Sequence, residues 1–577
     1  MAVYTAHEKT MTTWDGTELF YRAWIPEGGY DRALILFHRG HEHSGRLVGL
    51  VDGLGMAEYA VFAWDARGNG KSPGPRDDAD SFSVYVRDAD AFVNFVAGEY
   101  GVPVRNMAVI ANSVGGVIAA TWVHDYAPPI RALILAAPAF RIKLYVPLAI
   151  PALRLAMKLG LMKYVKSYVK SRVLTHDQAE QERFDQDPLI SHSISTRILL
   201  GVHDTATRIV RDAGAIRVPT LLLMAGSDWV VKTGVQKTFF YNLSSPVKET
   251  EWYPDFHHAI YHEAEKSKPI RRTRAFIEEQ FARDPELPSL VNADQAGYTK
   301  REYDRLRRPS RNPFYGLTRL GMATVGRLSS GVRLGLQDGF DSGVTLDCVY
   351  RNQPEGRLLL GKLLDYFYLN SLGWVGIRAR KVHLEELLRK YIRQQHEAGV
   401  SVQLMDIAAG PGRYILDAIK GLPDIGISAL LQDYKPVNVA AGERLAAEMG
   451  IADVTYRQGD AFDRERLAQT SPPPTIAIVS GLYELFPENA PVRNSLLGLA
   501  EALGEGSYLI YTNQPWHPQV EMIARTLTNR EGKPWIMRRR TQEEMDDLVR
   551  EAGFEKVEMR IDEYGIFTVS AARRLAR

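Results

Sequence analysis

Residues 106–126 read NMAVIANSVGGVIAATWVHDY. The apolar run Met107–Ala111 predicts a buried strand, which leads through a turn at Ser113 into a helix of small residues. A serine on a sharp strand-to-helix turn is exposed at the top of a sheet, near the positive end of the helix dipole. The same pattern also suits a serine that only caps a helix. The surrounding sequence therefore has to decide whether Ser113 is a nucleophile.

The length and composition limit the classes of protein to consider. A chain of 577 residues exceeds what one hydrophobic core usually holds, so we expect at least two domains. With 71 basic and 69 acidic residues the formal net charge is +2, which argues against a nucleic-acid partner. One cysteine, Cys348, excludes a disulfide framework and favours a reducing, cytoplasmic location. The N-terminus lacks the apolar stretch of a secretion signal, and we expect no membrane-spanning segment.

Two stretches of the chain alternate β-branched runs with helical patterns, which is typical of α/β folds with parallel sheets. Between them, residues 283–298 read RDPELPSLVNADQAGY, a polar segment with two prolines. We predict one α/β domain over 1–282, a linker over 283–298, a helical extension over 299–380 and a second α/β domain over 381–577.

Two further residues complete a candidate catalytic set in the first domain. The predicted strand Pro219–Met224 is followed by Asp228, and the sequence PDFHH over 254–258 precedes a helix. The order serine, aspartate, histidine is that of α/β-hydrolases. The predicted strand Ala33–Phe37 leads into a loop of the kind that supplies an oxyanion-hole amide in such folds.

The sequences HRGHEHSGR (38–46), DARGNGKS (65–72) and ANSVGG (111–116) resemble those of monoacylglycerol lipase-like, serine aminopeptidase S33-type α/β-hydrolases. The resemblance covers 1–282 and implies a lipase-like ester hydrolase. It assigns Ser113 as the nucleophile, Asp228 as the residue that orients the histidine, His258 as the general base, and the amides of Gly40 and Val114 as the oxyanion hole. His258 is chosen over His257 because only His258 lies five residues before a glutamate, Glu263.

The first domain departs from the family pattern at two positions. Ala111 replaces the first glycine of the usual G-x-S-x-G motif, and Arg39 stands where relatives have a glycine. We expect Arg39 to affect the entrance of the site. His41 and His43 have the spacing of a short metal pair, but an ordered loop beside the oxyanion hole is the simpler interpretation, so we expect no metal.

The insert over about 140–205 is expected to form the cap of the hydrolase. Between Phe140 and Leu174 it contains eight basic residues and no acidic residue, with apolar residues at roughly helical spacing. The basic residues are Arg141, Lys143, Arg154, Lys158, Lys163, Lys166, Lys170 and Arg172. Such a segment suits the surface of an anionic membrane. The alternative is a closed cap that packs its apolar residues over the active site.

The second domain begins with the predicted strand VQLMDI (402–407), followed by a glycine-rich turn that lets a ligand approach the backbone. Asp433 ends the next predicted strand and Asp460 follows the third. An acid at the first of these positions can accept from ribose hydroxyls, and one at the second can accept from an adenine amine.

The turn DIAAGPG (406–412) resembles the glycine-rich motif of class I S-adenosylmethionine-dependent methyltransferases, and 554–571 resembles their terminal hairpin. The resemblance implies S-adenosylmethionine as cofactor. It implies that Asp406, Ala408, Gly410 and Gly412 line its methionine end, Asp433 its ribose and Asp460 its adenine, with Ser480 also at the site. A dinucleotide dehydrogenase is the alternative, but its G-x-G-x-x-G motif is absent here.

Candidates for the methyl-acceptor site follow the fourth and fifth predicted strands of this domain. They are Tyr483, Glu484, Asn513 and His517. The alternative for each is a loop residue whose hydrogen bonds are all made within the protein.

The main hypothesis is a bifunctional enzyme with a lysophospholipase- or monoacylglycerol lipase-like site and an S-adenosylmethionine-dependent methyl-transfer site. We expect it in the cytoplasm, acting on small-molecule or lipid esters, with peripheral contact between 140–174 and the inner membrane face. An alternative is an active hydrolase whose second half binds S-adenosylmethionine as a regulatory module without methylating. Nucleic-acid modification is suggested only by the arginines within 300–333.

Overall fold

The computed structural model describes residues 5–283 and 287–576. The chain divides into two compact units, Met1–Leu287 and Pro288–Arg577. Each unit is built on one large, mainly parallel sheet with helices, so the predicted α/β class with two domains is confirmed.

The first unit contains an eight-stranded sheet of order β1-β2-β4-β3-β5-β6-β9-β10. Strands β3, β4, β5 and β6 are buried along their whole length. Helices cover both faces of such strands, which explains their continuous apolar sequences. Strand β1 pairs antiparallel with β2, and β2 pairs antiparallel with β4. Along the order β4-β3-β5-β6-β9-β10 each strand is parallel to its neighbour. The strands of this unit are β1 (His7–Thr12), β2 (Glu18–Trp24), β3 (Ala33–Phe37), β4 (Ala60–Trp64), β5 (Met107–Asn112), β6 (Ala132–Ala136), β7 (Tyr164–Lys166), β8 (Ser193–Ser195), β9 (Thr220–Ala225) and β10 (Lys248–Tyr253).

The helices of the first unit connect these strands. They are α1 (Val48–Leu54), α2 (Phe82–Tyr100), α3 (Val114–Tyr126), α4 (Ala149–Lys158), α5 (Ser171–Leu174), α6 (Gln178–Asp185), α7 (Thr196–Arg211), α8 (Thr233–Asn242) and α9 (Ser267–Ala282). The insert between β6 and β9 contains α4 to α7 and the small β7–β8 sheet. The apolar residues of 140–174 therefore do not follow one helix, since only α4 is longer than one turn there.

The second unit contains a seven-stranded sheet of order β13-β12-β11-β14-β15-β17-β16. Strands β13 to β15 are parallel, and β16 and β17 form the predicted antiparallel hairpin at the C-terminal end. The strands are β11 (Val402–Asp406), β12 (Ile427–Asp433), β13 (Val454–Gln458), β14 (Ile476–Val479), β15 (Tyr508–Asn513), β16 (Phe554–Ile561) and β17 (Thr568–Arg574). The order reverses between β11 and β14, and ligands of open α/β sheets bind at such a point, outside the carboxyl ends of the strands.

Helices precede and cover this second sheet. They are α10 (Tyr298–Arg307), α11 (Pro313–Ala323), α12 (Ser330–Asp338), α13 (Gly343–Arg351), α14 (Leu358–Leu369), α15 (Leu372–Glu397), α16 (Arg413–Lys420), α17 (Pro436–Met449), α18 (Arg464–Ala468), α19 (Asn489–Ala502), α20 (Val520–Thr526) and α21 (Gln542–Glu551). The predicted division at 380/381 falls inside α15. That helix continues because Leu384, Leu388 and Ile392 pack into the core beneath the sheet.

Part of the predicted linker, 283–298, is hydrogen-bonded to other residues of the second unit. The Leu290 amide donates a hydrogen bond to Asp547 (2.8 Å), and the Asn489 amide donates one to Asp294 (2.8 Å). Residues 290–294 are therefore bound to the second unit, whereas 284–286 lie outside the described residues. Cys348 is buried. Within the described ranges no helix is long and apolar enough to cross a membrane.

Candidate active sites

Ser113 occupies a strained turn between β5 and α3. Its φ of 50° lies in the left-handed region, which costs a non-glycine residue roughly 1–3 kcal/mol. The two glycines that follow allow this turn to pack closely. A Cβ at Gly115 would lie 2.4 Å from the His38 carbonyl oxygen, and one at Gly116 would lie 2.9 Å from Pro138 Cβ. This strained conformation holds the Ser113 hydroxyl at the carboxyl end of β5.

The structure brings the three predicted triad residues together. His258 Nε2 lies 2.8 Å from Ser113 Oγ, and His258 Nδ1 lies 2.8 Å from Asp228 Oδ2. The other Asp228 oxygen accepts hydrogen bonds from two backbone amides of the following turn. Burial opposes ionisation of Asp228, but the charge of His258 and these hydrogen bonds hold its pKa below the ordinary value of 3.8. The arrangement can deprotonate a serine hydroxyl while an ionised carboxylate fixes the imidazole.

The loop after β3 lies beside this turn. A Cβ at Gly40 would lie 3.0 Å from Val114 Cγ2, so the two residues predicted to form the oxyanion hole are neighbours. Arg39 does not line the entrance as expected. It is buried, and its guanidinium Nε donates to Glu42 Oε2 (3.0 Å), so the charge is compensated inside the loop.

The two histidines with the spacing of a metal pair, His41 and His43, have separate structural partners. His41 Nδ1 lies 2.8 Å from Asp77, and His43 Nε2 lies 2.9 Å from Asp187, so each is held by a different carboxylate. Glu263 accepts a hydrogen bond from the His257 backbone amide (2.7 Å) and thereby fixes the loop that carries His258. The five-residue spacing from His258 to Glu263, by which His258 is chosen, places Glu263 where it can make this contact.

The cap insert exposes apolar side chains. Leu148 is 78% exposed and Leu161 is 75% exposed, and none of the residues of α4, all of which are described, is buried. The alternative of a cap that closes with its apolar residues inward does not describe α4. Lys143 donates to the backbone carbonyl of Asp228, and Arg154 pairs with Asp204. The side chains of Lys158, Lys163, Lys166 and Lys170 are exposed.

In the second unit the glycine-rich turn that follows β11 has open space beside Gly410. Gly410 has a φ of 56°, and a Cβ there would meet nothing within 4 Å. Its amide donates to Asp433 Oδ2 (2.9 Å), which ties the turn to the end of β12. Gly412 has a φ of 75° and begins α16, with Leu431 and Tyr456 packed beneath it. Gly410 is half-buried and Gly412 is buried, so the open part of this turn, at the topological switch point of the sheet, lies at Gly410.

Asp406 was assigned to the methionine end of the cofactor, but it does not reach the surface of the turn. It is fully buried, and its two oxygens accept from the Ala408 amide (2.9 Å) and the Tyr414 hydroxyl. Burial raises the pKa of this carboxyl to about 7. Asp406 and Ala408 therefore fix the conformation of the turn, and the part open to a ligand lies at Gly410.

The other predicted cofactor residues lie along the same edge of the sheet, where β12, β13 and β14 end. Asp433 Oδ1 accepts from the Lys435 amide and from Asn438 (both 2.9 Å), so Oδ2, which accepts only from the Gly410 amide, keeps a lone pair for a ligand. Asp460 is exposed and accepts from the Phe462 amide. Ser480 is buried, and its hydroxyl has no hydrogen-bond partner among the residues that the structure describes. An open glycine, two acids and an unpaired hydroxyl on one edge fit a nucleoside-bearing cofactor.

The four acceptor candidates separate into two groups. Tyr483 donates to Ser495 (3.0 Å) and Asn513 donates to the Arg540 carbonyl (3.1 Å), so both are buried in the protein's own hydrogen bonds. Glu484 and His517 instead line a cavity of about 170 Å³. Arg380 and Gln514 line the same cavity and were missed by the sequence analysis. Arg380 lies on a helix of unremarkable sequence, so no sequence signal could have found it.

Two families of known proteins match the chain. A family model described as "Putative methyltransferase" matches residues 273–574, and one described as "Serine aminopeptidase, S33" matches 29–265. The Escherichia coli K12 protein "Uncharacterized protein YnbC" is 49% identical over 578 residues, covering 98% of both chains. The "Monoglyceride lipase" of Rattus norvegicus is 28% identical over 259 residues, which are 43% of this chain and 82% of its own.

Solved structures also resemble the chain. The crystal structure of Paleococcus ferrophilus monoacylglycerol lipase matches with a TM-score of 0.41 and 21% identity, covering 48% of this chain and 99% of its own. Two sequence matches assign the chain to a family. One is to the family model over 273–574, and the other is to a relative matched over 98% of both chains. The chain belongs to the family described as "Putative methyltransferase", with an S33-type, lipase-like hydrolase domain ahead of the methyltransferase domain.

Proposed function

We propose that this chain is a bifunctional cytoplasmic enzyme that hydrolyses lipid esters at Ser113 and transfers methyl groups from S-adenosylmethionine in its second unit. The observation that carries the hydrolase part is the hydrogen-bonded series from Ser113 through His258 to Asp228. The methyltransferase part rests on the open glycine turn at Gly410 and on the family match over 273–574.

The hydrolytic steps follow from the positions of the three side chains. His258 Nε2 accepts the Ser113 proton as Oγ attacks the ester carbonyl, and the imidazolium then protonates the leaving alcohol. Water, deprotonated in turn by His258, attacks the acyl-serine and releases the acid. The amides of Gly40 and Val114 would stabilise the oxyanion, and removing such a donor typically costs roughly 3 kcal/mol.

We propose lipid esters as substrates because the relatives named monoglyceride lipase match this domain and because the cap exposes apolar side chains. The same segment carries exposed lysines at 158, 163, 166 and 170. Each basic residue near an anionic bilayer contributes about 1 kcal/mol of attraction. We therefore propose an anionic phospholipid surface as the partner of the segment 140–174.

In the second unit, S-adenosylmethionine would supply an electrophilic methyl group when bound. The backbone at Gly410 and Gly412 would border its methionine end, Asp433 would accept from the ribose hydroxyls, and Asp460 would accept from the adenine amine. The unpaired Ser480 hydroxyl supplies a further buried hydrogen-bonding group at this edge. A module that only senses the cofactor would have no need of the adjoining cavity, which favours catalysis over regulation.

The hydrolase proposal can be tested with a fluorophosphonate probe, which reacts with activated serines. We expect mass spectrometry of the digested full chain to find the label on the peptide that contains Ser113. Label on another serine, or no label at all, would reject Ser113 as the nucleophile. Calorimetric titration of the same protein with S-adenosylmethionine tests the second site independently.

A further inference from the structure

The cavity beside the proposed cofactor site is mainly apolar and is bordered by several elements of the second unit. Its apolar lining includes Met322, Trp374, Ile377, Ile523, Trp535 and Phe567. Gly481, which directly follows Ser480 at the end of β14, lines it too. The cavity therefore adjoins the edge of the sheet where the cofactor residues lie.

The lining of the cavity includes polar groups that the described part of the chain leaves unpaired. Arg380 Nη1 donates to Glu484 Oε1 (3.1 Å), but the second carboxylate oxygen, Oε2, has no hydrogen-bond partner in the described part of the chain. The same holds for the side-chain nitrogen of Gln514. Glu484 is 6% exposed and Gln514 is 2% exposed. Buried polar atoms are nearly always hydrogen-bonded in native proteins, so this acceptor and this donor point to a ligand.

His517 adds a second donor to the lining. Its Nδ1 accepts from the Gln519 amide (3.0 Å), which leaves the proton of the neutral ring on Nε2. Burial and the charge of Arg539 lower the pKa of His517 to about 3, so the ring is neutral at physiological pH. A Cβ at Gly373, which also lines the cavity, would lie 3.0 Å from this Nε2.

We infer that this cavity binds the methyl acceptor, and that the acceptor is an uncharged, mainly apolar molecule whose hydroxyl group donates to Glu484 Oε2. The inference rests on the proposed methyl transfer. The hydroxyl oxygen accepts in turn from Gln514 or His517. The two acids that line the cavity are each paired with an arginine, Glu484 with Arg380 and Asp341 with Arg530, so an ionised head group would meet no unpaired countercharge from them. A cavity of ~150 Å³ lined by apolar side chains holds benzene, and this cavity is large enough for one ring.

The outer face of α11 agrees with an apolar ligand. Met322 lines the cavity from this helix, whereas Phe314, Leu317 and Leu320 are 57%, 68% and 61% exposed on its other side. A ligand that comes from an apolar environment would therefore contact an apolar surface of α11, the helix that borders the cavity.

Calorimetry with 4-ethylphenol and 4-ethyltoluene, on the full chain without S-adenosylmethionine, tests the inference. The two probes have nearly the same shape and differ in the hydroxyl group. We expect 4-ethylphenol to bind at least about tenfold more tightly, because a hydrogen bond to a charged acceptor is lost with 4-ethyltoluene. Equal affinity for the two probes, or no binding of 4-ethylphenol, would overturn the inference without requiring any variant.

A cavity-filling variant locates the binding. In Gly373→Leu the new side chain enters the space in front of His517, and we expect binding of 4-ethylphenol to be lost. Gly316→Leu, on the exposed part of α11, is the matched control and should bind as the wild type does. Binding retained by Gly373→Leu would place the probe elsewhere and refute the inference.

A separate titration with S-adenosylmethionine distinguishes the two proposals. If the cofactor binds and 4-ethylphenol does not, the cavity assignment fails while the proposed function stands. If 4-ethylphenol binds as expected and the cofactor does not, the cavity is a ligand site but the proposed methyl transfer fails.

Discussion

His258 Nε2 lies 2.8 Å from Ser113 Oγ, although 145 positions separate the two residues in the chain. Ser113 is held by the turn between β5 and α3, and His258 by the loop after β10. Both side chains are buried, so their hydrogen bond does not compete with bulk water. Both residues lie in the first unit, so the function of the pair can be tested separately from that of the second unit.

Replacing Ser113 by alanine should abolish hydrolysis of soluble p-nitrophenyl esters. Without the hydroxyl no acyl-enzyme can form, and we expect the rate to fall by roughly 10⁴-fold or more. Ser83→Ala, a half-buried serine of α2, is the control and should retain the wild-type rate. Affinity for S-adenosylmethionine should be unchanged in both variants. Esterase activity that survives in Ser113→Ala would assign the nucleophile to another residue.

Asp433→Ala should weaken binding of S-adenosylmethionine. Hydrogen bonds to a charged acceptor are worth ~1.5–3 kcal/mol, so losing the ribose contacts predicts a decrease of roughly tenfold or more. The Gly410 amide also loses its partner, which adds to the effect. Asp424→Ala, an exposed acid shortly before β12, is the matched control. Calorimetry that finds equal affinity in Asp433→Ala and wild type would exclude the ribose role.

The stability of the second unit should depend on pH through Asp406. Burial raises the pKa of this carboxyl from 3.8 to about 7 in the folded chain. Between these values the folded form binds more protons than the unfolded form, so the contribution of Asp406 to the free energy of unfolding falls as pH rises. The decrease is at most ~1.4 kcal/mol per pH unit.

Asp406→Asn should remove this dependence, because the amide does not ionise. Hydrogen exchange of peptides from β11 and α16, corrected for the intrinsic effect of pH on exchange, measures local stability at about pH 5 and about pH 7. The wild type should lose protection between the two, and Asp406→Asn should lose less. An equal loss in both proteins would show that Asp406 is ionised at both pH values. Asp424→Asn is the control and should behave as the wild type does.

The cap should hold the protein on anionic vesicles at low salt. Replacing Lys158, Lys163, Lys166 and Lys170 by glutamine should weaken vesicle binding by at most several kcal/mol, since about 1 kcal/mol is expected per residue. Binding should also weaken with salt, as the Debye length falls from ~10 Å at 0.1 M to ~3 Å at 1 M. Hydrolysis of soluble esters should be unaffected, whereas hydrolysis of vesicle-embedded long-chain esters should fall with binding. Wild-type protein that does not sediment with anionic vesicles at low salt would exclude the membrane proposal.

The parts of the structure that follow local rules could be predicted from the sequence. The buried strands of both sheets appear as continuous apolar runs, and the turns at Ser113 and Gly410 appear as short motifs at their ends. The selection of His258 over His257 depended on the family spacing to Glu263, and the structure places His258 against Ser113.

The walls of the cavity could not be predicted, because they come from separate helices and loops. Arg380 reaches Glu484 across 104 positions, and nothing local in α15 marks it. Tyr483 and Asn513 have the residue types of an acceptor site, but their partners, Ser495 and Arg540, turn both side chains into the protein. Which loop residues face a cavity depends on the tertiary contacts of their neighbours, and one sequence does not contain that information in local form.

The most direct test of a two-site enzyme is incubation of the full chain with S-adenosylmethionine labelled in its methyl group and with total membrane lipid. We predict label in the extracted lipid fraction with the wild type and with Ser113→Ala, and its loss with Gly373→Leu. A wild-type protein that hydrolyses esters but labels no lipid would contradict an apolar lipid as acceptor of the proposed methyl transfer, and would leave a lipase-like hydrolase attached to a module of another function.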